Sequence, residues 1–337
     1  MNSLRDFHQF LTTNHPDLRH AGFAHVVNVG GLSVETPWEI APGLQLRKAL
    51  PNEVSSLQSL LRLRQPPSVL NLMPRRNPYE TTVQSVEEKP GVVSYQTVRL
   101  AREEWRYHVV AFEGANTALH DFIDATALTT TRLRLGDTVF GAPGVCGPGI
   151  VGGGRATDEL WNTLDLSDQP LLHLGQEDLT DLRDVYMRLR SQKEERGILA
   201  DAIRRFQHLD FIPASSPLRF LGYVAILESL ITHHPEPKDP SDSITRQVCQ
   251  KMILIGRRSK IQVPYEILHP ETQPKTIWKR LYTYRSKIAH GAVPDFRGDL
   301  KCLKDPTSAL AFITQATVAV MRQTLEEPAL VADLRAC

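Results

Sequence analysis

The chain has 337 residues, and its 39 lysines and arginines against 38 aspartates and glutamates give a formal net charge of +1. A chain of this length forms about two domains, and a hydrophobic fraction of 41% is enough for each domain to bury a core. The near-zero net charge excludes a histone-like polycation, so any surface for nucleic acid must be local.

Cysteine spacing and apolar runs indicate the compartment. The four cysteines are far apart and form no C-x-x-C pair, which excludes a zinc ribbon and argues against a disulfide-stapled secreted domain. The first ten residues lack the apolar stretch of a signal peptide, and no apolar run reaches the ~18–20 residues of a membrane span. We therefore expect a soluble, cytoplasmic protein that does not bind a membrane.

The first half of the chain has the pattern of a mixed α/β domain. Runs rich in valine, leucine and tyrosine predict strands at 24–29, 44–50, 91–100 and 105–112. Polar residues that can cap a helix precede the helices predicted at 52–63 and 116–127, and a short helix is predicted at 4–11. We assign residues 1–137 to a domain of unknown function, with a sensor role as one interpretation.

Glycine and proline dominate the next segment, residues 138–160. It contains G-P-G-I-V-G at 147–152, which formally matches the G-x-G-x-x-G pattern of a phosphate-binding loop. The proline at the second position and the surrounding glycines favour a flexible loop or connector instead.

The second half is predicted to be almost wholly helical. Residues 161–212 contain a linking strand and helices at 177–196 and 199–208, and residues 213–330 form a helical domain. Its helices are predicted at 217–233, 243–255, 275–290 and 306–326. Ser216-Pro217 and Asp305-Pro306 each place a capping residue before a proline in the first helical position. The expected fold class is α+β, with a mixed α/β region followed by an all-α helical bundle.

The segment K-R-L-Y-T-Y-R-S-K-I-A-H-G at 279–291 has the most specific pattern. Four residues at helical spacing form one apolar stripe: Ile277, Leu281, Tyr284 and Ile288. At ~100° per residue, Arg285 lies about 70° from this stripe, and Ser286 and His290 lie on the opposite side. The histidine is therefore not predicted to enter the core of its own helix. Alternatively, His290 only favours the helix dipole while Gly291 adopts the left-handed cap.

The stretch L-Y-T-Y-R-S-K-I-A-H-G resembles the signature of HEPN domains, in particular the Apea-like subgroup of abortive-infection proteins. The stretch A-I-L-E-S-L-I-T at 225–232 resembles the A-L-E-x-L helix of that subgroup, and residues 244–255 are similar to a third region. The resemblance covers roughly residues 217–326, about a third of the chain. Many HEPN proteins have Asn, Asp or His after the motif arginine, whereas this chain has Ser286.

The resemblance implies a metal-independent endoribonuclease that acts as a homodimer through the HEPN-like domain. Each copy would contribute Arg285 and His290, with Ser286 and Glu228 assisting. The implied cellular role is prokaryotic anti-phage defence or a toxin–antitoxin pair. The implied partner is an antitoxin or another protein of the defence system. RNA cleavage by the 2′-hydroxyl needs a proton-transfer group near neutral pH, which an imidazole with a pKa of ~6.5 supplies. A guanidinium stabilises charge on the phosphoryl oxygens. We expect no metal and no cofactor.

Charge is unevenly distributed around this segment. Residues 246–290 contain ten lysines and arginines and two glutamates, which gives this window a net charge of +8. Such a concentration predicts a track for RNA phosphates. The residues expected to bind substrate are Arg257, Arg258, Lys260, Lys279, Arg280, Tyr282 and Lys287, with Tyr282 as a stacking surface. The alternative for residues 257–260 is a solvated turn without a ligand.

Glu228 interrupts an otherwise apolar helix, and a buried carboxylate requires a partner. We expect Glu228 to orient Arg285 or an equivalent cation, the alternative being an exposed position without a role.

Two other functions for the chain are consistent with the sequence. In the first, the helical domain is a non-catalytic HEPN-like RNA-binding or dimerisation module coupled to an N-terminal sensor domain. In the second, the N-terminal half is the functional centre and the helical domain is its effector.

Overall fold

The computed structural model describes residues 21–64, 77–89, 92–113, 117–140, 151–152, 171–192, 197–234, 243–269 and 271–336. The chain divides into two compact units, Met1–Thr126 with Leu133–Arg183, and Ala127–Arg132 with Asp184–Cys337. The first contains the sheets and the second is all-helical, so the expected α+β class is confirmed. The longer segment of the helical unit begins at Asp184, within the region predicted as a linking strand and helices at 161–212.

Ten strands lie in the described part of the first unit. They are β1 (Ala21–Val26), β2 (Val29–Leu32), β3 (Trp38–Ala41), β4 (Leu44–Lys48), β5 (Thr81–Lys89), β6 (Val92–Arg99), β7 (His108–Glu113), β8 (Leu135–Phe140), β9 (Val151–Gly152) and β10 (Leu172–Leu174). Six form one sheet in the order β3-β4-β7-β1-β8-β9, in which β1 pairs antiparallel with both β7 and β8. β10 pairs parallel with β2, and β5 and β6 form a separate two-stranded ribbon.

Two helices, α1 (Pro51–Arg64) and α2 (Thr117–Thr126), belong to the same unit and match the predictions at 52–63 and 116–127. Leu57 and Leu61 of α1 share a buried cluster with Phe23 of β1 and Val109 of β7. Burial of these apolar side chains provides the main stabilisation of the unit. The helix predicted at 4–11 lies outside the described residues.

Two short parts of the segment predicted as a loop or connector lie in a sheet. Thr138 and Val139 of β8 pair with Gly152 and Val151 of β9 in the first unit. Residues 141–150 and 153–160, which contain most of the predicted loop, lie outside the described residues.

The next helix is α3 (Gln176–Ser191), and the division between the two units falls within it. The remaining helices are α4 (Gly197–His208), α5 (Pro217–Ile231), α6 (Ile244–Arg258), α7 (Pro274–Ala289), α8 (Pro306–Glu326) and α9 (Pro328–Ala336). α8 is central to the packing, because ten consecutive residues, 316–325, are buried. α9 has no counterpart in the sequence prediction.

Capping explains where α8 begins. Asp305 Oδ1 accepts a hydrogen bond from the Ser308 backbone N–H at 2.8 Å, and the Ser308 hydroxyl donates to Oδ2 at 2.8 Å. These bonds hold the pKa of Asp305 below its usual value. Pro306 occupies the first helical turn, as predicted. At the start of α5 the proline is also in place, but the Ser216 side chain makes no capping bond.

Candidate active site

The apolar stripe of α7 packs into the core of the helical unit. Ile277, Leu281 and Tyr284 are buried, as their spacing predicted. Ser286 and His290 are exposed on the other side of the helix, and the Arg285 side chain is 41% exposed. The prediction that the histidine does not enter the core of its own helix is therefore confirmed.

The end of α7 has the geometry of a glycine-terminated helix. The Gly291 N–H donates to the Ile288 carbonyl at 3.1 Å, and the Ala292 N–H donates to the Lys287 carbonyl at 2.8 Å. This pair of bonds is the Schellman motif, and it requires the left-handed conformation that Gly291 adopts with φ of +68°. His290 therefore does occupy the helix C-cap, and the backbone fixes where its imidazole leaves the helix.

The chain after His290 folds back along α7. Phe296 packs edge-on against Tyr284 with ring centroids 5.1 Å apart, and Lys287 Nζ lies 3.0 Å from Oδ1 of Asp299. These contacts restrain the loop on both sides of the cap. Within the described residues, the His290 side chain has no hydrogen-bond or ion-pair partner, so its ring nitrogens are open to a ligand.

A carboxylate from α5 meets the arginine of α7. Glu228 Oε2 lies 3.8 Å from Arg285 Nη2, and Glu228 Oε1 accepts a 3.0 Å hydrogen bond from the Tyr282 hydroxyl. The Glu228 side chain is 17% exposed, so the carboxylate is sheltered while the guanidinium reaches solvent. The structure thus brings Glu228 and Arg285 together as predicted. Glu228 does not occupy the exposed position that was the alternative.

Tyr282 has a different position from the one predicted. Its side chain is buried and donates to Glu228, so the expectation that its ring offers a stacking surface for a base is wrong. Burial, followed by the nearby Glu228 carboxylate, raises the pKa of Tyr282, which keeps its hydroxyl protonated as a donor. The helical spacing concealed this role, because it depends on a residue 54 positions away.

Two cations of the predicted basic track, Arg258 and Lys260, are paired with acids. Arg258 Nη2 lies 2.8 Å from Oε2 of Glu327, and Lys260 Nζ lies 3.8 Å from Oε1 of Glu326. Arg258 is the last residue of α6 and Lys260 lies two residues beyond it. Arg258 is nine residues and therefore ~13 Å along the helix from Cys249, which lies near Tyr282. Acids therefore partly neutralise Arg258 and Lys260, and their role in a phosphate track stays a prediction.

The other predicted substrate-binding residues are distributed over α6 and α7. Arg257, Lys279 and Arg280 are exposed, and Lys287 is paired with Asp299. The acids that neutralise the cations all lie outside residues 246–290, so the charge of that window overstated the free positive charge.

A cavity of about 520 Å³ lies elsewhere in the helical unit, against α9. Leu230, Thr324 and Arg335 contribute to its mostly apolar lining, and none of the predicted site residues does. Across the described ranges, no group of three or more histidines, cysteines and acids is placed to hold a metal ion. No helix among those ranges is both long and apolar enough to cross a bilayer.

The first unit contains a buried polar cluster below its sheet. His25 and Tyr79 pack edge-on with ring centroids 4.9 Å apart, and the Tyr107 hydroxyl donates to Oε1 of Glu80 at 2.6 Å. Burial, with a smaller effect from His108, lowers the pKa of His25 to about 3. The rings of His25, Tyr79 and Tyr107 are buried, so this cluster presents no open site.

No family model matches the chain, and neither the curated proteins nor the solved structures contain a match to it.

Proposed function

We propose that this chain is a metal-independent endoribonuclease and that two copies pool Arg285 and His290 in one cleft. The observation that carries the proposal is the placement of the two side chains: Arg285 lies 3.8 Å from the sheltered Glu228 carboxylate, and His290 stands at the helix C-cap with an exposed imidazole. The resemblance of residues 217–326 to HEPN domains supports the same assignment.

In this proposal His290 moves a proton at the 2′-hydroxyl or at the leaving 5′-oxygen. The 2′-oxygen attacks the adjacent phosphorus, the bond to the 5′-oxygen breaks, and the products are a 2′,3′-cyclic phosphate and a 5′-hydroxyl. Arg285 stabilises the negative charge that accumulates on the phosphoryl oxygens, because a guanidinium presents planar paired donors. Glu228 restrains the guanidinium, and the adjacent Ser286 is exposed on the same helix.

The cellular role proposed for this activity is prokaryotic anti-phage defence or the toxin of a toxin–antitoxin pair, in the cytoplasm. An antitoxin or a defence-system partner would then hold the nuclease inactive until it is needed. This part of the proposal is an analogy with HEPN proteins and depends on the cleavage activity.

The test compares RNA cleavage by the purified chain in EDTA with that of Arg285→Ala and His290→Ala. Each substitution should lower the rate by ~10²-fold or more. Arg205→Ala and His269→Ala remove an exposed arginine and an exposed histidine elsewhere in the helical unit and should leave the rate unchanged. Cleavage that needs a metal, or that survives both site substitutions, would contradict the proposal.

A specific observation favours a second candidate, a non-catalytic RNA-binding or dimerisation module. His290 and Gly291 form a regular helix cap, which needs no catalytic reason. If this candidate is correct, the wild-type chain binds RNA and leaves it intact, both in vitro and when expressed in bacteria. His290→Ala then leaves RNA binding unchanged.

A further inference from the structure

The ribbon formed by β5 and β6 is isolated from the large sheet of the first unit. The two strands pair antiparallel with Tyr95 opposite Ser85, and the Leu100 N–H donates to the Glu80 carbonyl at its base. Tyr95 is 71% exposed and Val93 is 52% exposed. A two-stranded ribbon is at best marginally stable in water, and an exposed tyrosine beside an exposed valine is typical of a contact surface.

The outer edge of β6 lacks the charges and proline that keep strand edges apart, and the one irregularity of the ribbon lies at its tip, where the register shifts between Glu87 and Lys89. Its residues 92–98, V-V-S-Y-Q-T-V, contain no charged residue and no proline, and most favour a strand. The companion strand β5 ends in E-E-K at 87–89. Among the described residues only β5 pairs with β6, so the outward backbone groups of β6 form an edge that can accept another strand.

We propose that β6 pairs antiparallel with β6 of a second copy of this chain, which joins the two ribbons into a four-stranded sheet. Charge disfavours a nucleic acid as the occupant, because residues 81–99 contain two glutamates, one lysine and one arginine. A second copy fits because a strand without charges meets no repulsion when it pairs with itself, and such a pairing closes with two-fold symmetry.

The extent of the uncharged run sets the register. Full overlap of residues 92–98 with the same residues of the partner places the two-fold axis at Tyr95, with Val93 opposite Thr97 of the partner subunit. A shift toward the end of β6 brings the Arg99 side chains of the two copies together. The two Tyr95 side chains are therefore directly opposed, at the ~4.5–5.5 Å Cβ separation of facing residues.

The first test measures the dissociation constant of the full-length dimer by analytical ultracentrifugation. Tyr95→Lys places two ammonium groups at the axis and should raise that constant at least tenfold. Ser85→Lys is the matched control, since it adds the same charge at the directly opposed position of β5, which is also exposed, and leaves the β6 edge unchanged. No effect of Tyr95→Lys, or an equal effect of both variants, would overturn the proposal.

The second test is cross-linking by a short bismaleimide, which can join facing thiols whose Cβ separation is too wide for a disulfide. Tyr95→Cys should form a covalent dimer above the level that the four native cysteines give in the wild-type chain, and Ser85→Cys should not. Absence of the Tyr95→Cys product would overturn the pairing. Neither test involves Arg285 or His290, so the ribbon contact and the proposed nuclease activity can fail separately.

Discussion

Removing the Tyr282 hydroxyl should destabilise the junction of α5 and α7 more than neutralising Glu228. In the folded chain this hydroxyl donates to Glu228 at 3.0 Å from a buried position. Hydrogen bonds to charged groups contribute about 1.5–3 kcal/mol, and the partial exposure of Glu228 places Tyr282→Phe near 2 kcal/mol. The pair between Glu228 and the half-exposed Arg285, at 3.8 Å, contributes at most about 1 kcal/mol.

Hydrogen exchange measured by mass spectrometry on peptides from α5 and α7 tests this difference. A loss of about 2 kcal/mol should accelerate exchange there by about 30-fold if these helices exchange through local opening. Tyr284→Phe is the matched control, because this buried tyrosine is on the same helix and its hydroxyl makes no hydrogen bond to a described residue. Glu228→Gln keeps an acceptor for Tyr282 and should accelerate exchange by less than about fivefold.

The reasoning would be refuted if Tyr282→Phe and Tyr284→Phe accelerated exchange equally, or if Glu228→Gln had the larger effect. Cleavage provides a second readout, because a residue that only stabilises the fold does not change the rate of the folded enzyme. If Glu228 positions Arg285, both Tyr282→Phe and Glu228→Gln lower kcat at saturating RNA, and Tyr284→Phe leaves kcat unchanged.

Three further substitutions follow from local structure. Gly291→Ala should destabilise the end of α7 by about 1 kcal/mol in thermal denaturation, because an L-residue at φ of +68° is strained. Gly197→Ala is the control, because Gly197 lies in open space at the start of α4, and it should be neutral or slightly stabilising. His25 accepts a proton at pH 6.5 when unfolded and only at about 3 when folded, so the stability of the first unit falls as the pH drops through that window. His25→Phe should flatten the pH dependence of the urea midpoint, and the same change at the exposed His120 should not. Asp305→Ala should cost about 1 kcal/mol in urea denaturation through loss of the α8 cap, and Asp305→Asn should retain most of it.

Sequence periodicity predicted the helices well, because each α-helix of the second unit except α9 has a clear apolar face or a capping signal. The buried face of α7 and the exposure of His290 followed directly from ~100° per residue. The strands were less predictable. β5, β8 and the short β2, β3 and β9 were missed, since a strand is defined by its pairing and packing more than by the propensities of its own residues.

The candidate site was predicted in part. The sequence identified Arg285, His290 and Glu228 as a set, and the structure places Glu228 beside Arg285. It did not identify the bond from Tyr282 to Glu228 or the acids that neutralise Arg258 and Lys260. These are tertiary contacts between different helices, which neither periodicity nor a charge count over one window can reveal.

The most direct test of the central claim is a titration of wild-type chain with the double variant Arg285→Ala/His290→Ala. The proteins are mixed under conditions that allow the copies to exchange, and RNA cleavage is measured in EDTA with RNA in excess. If two copies form one site, activity follows the square of the wild-type fraction, so an equal mixture retains about a quarter of the activity. Activity that falls in direct proportion to the wild-type fraction would contradict a shared site.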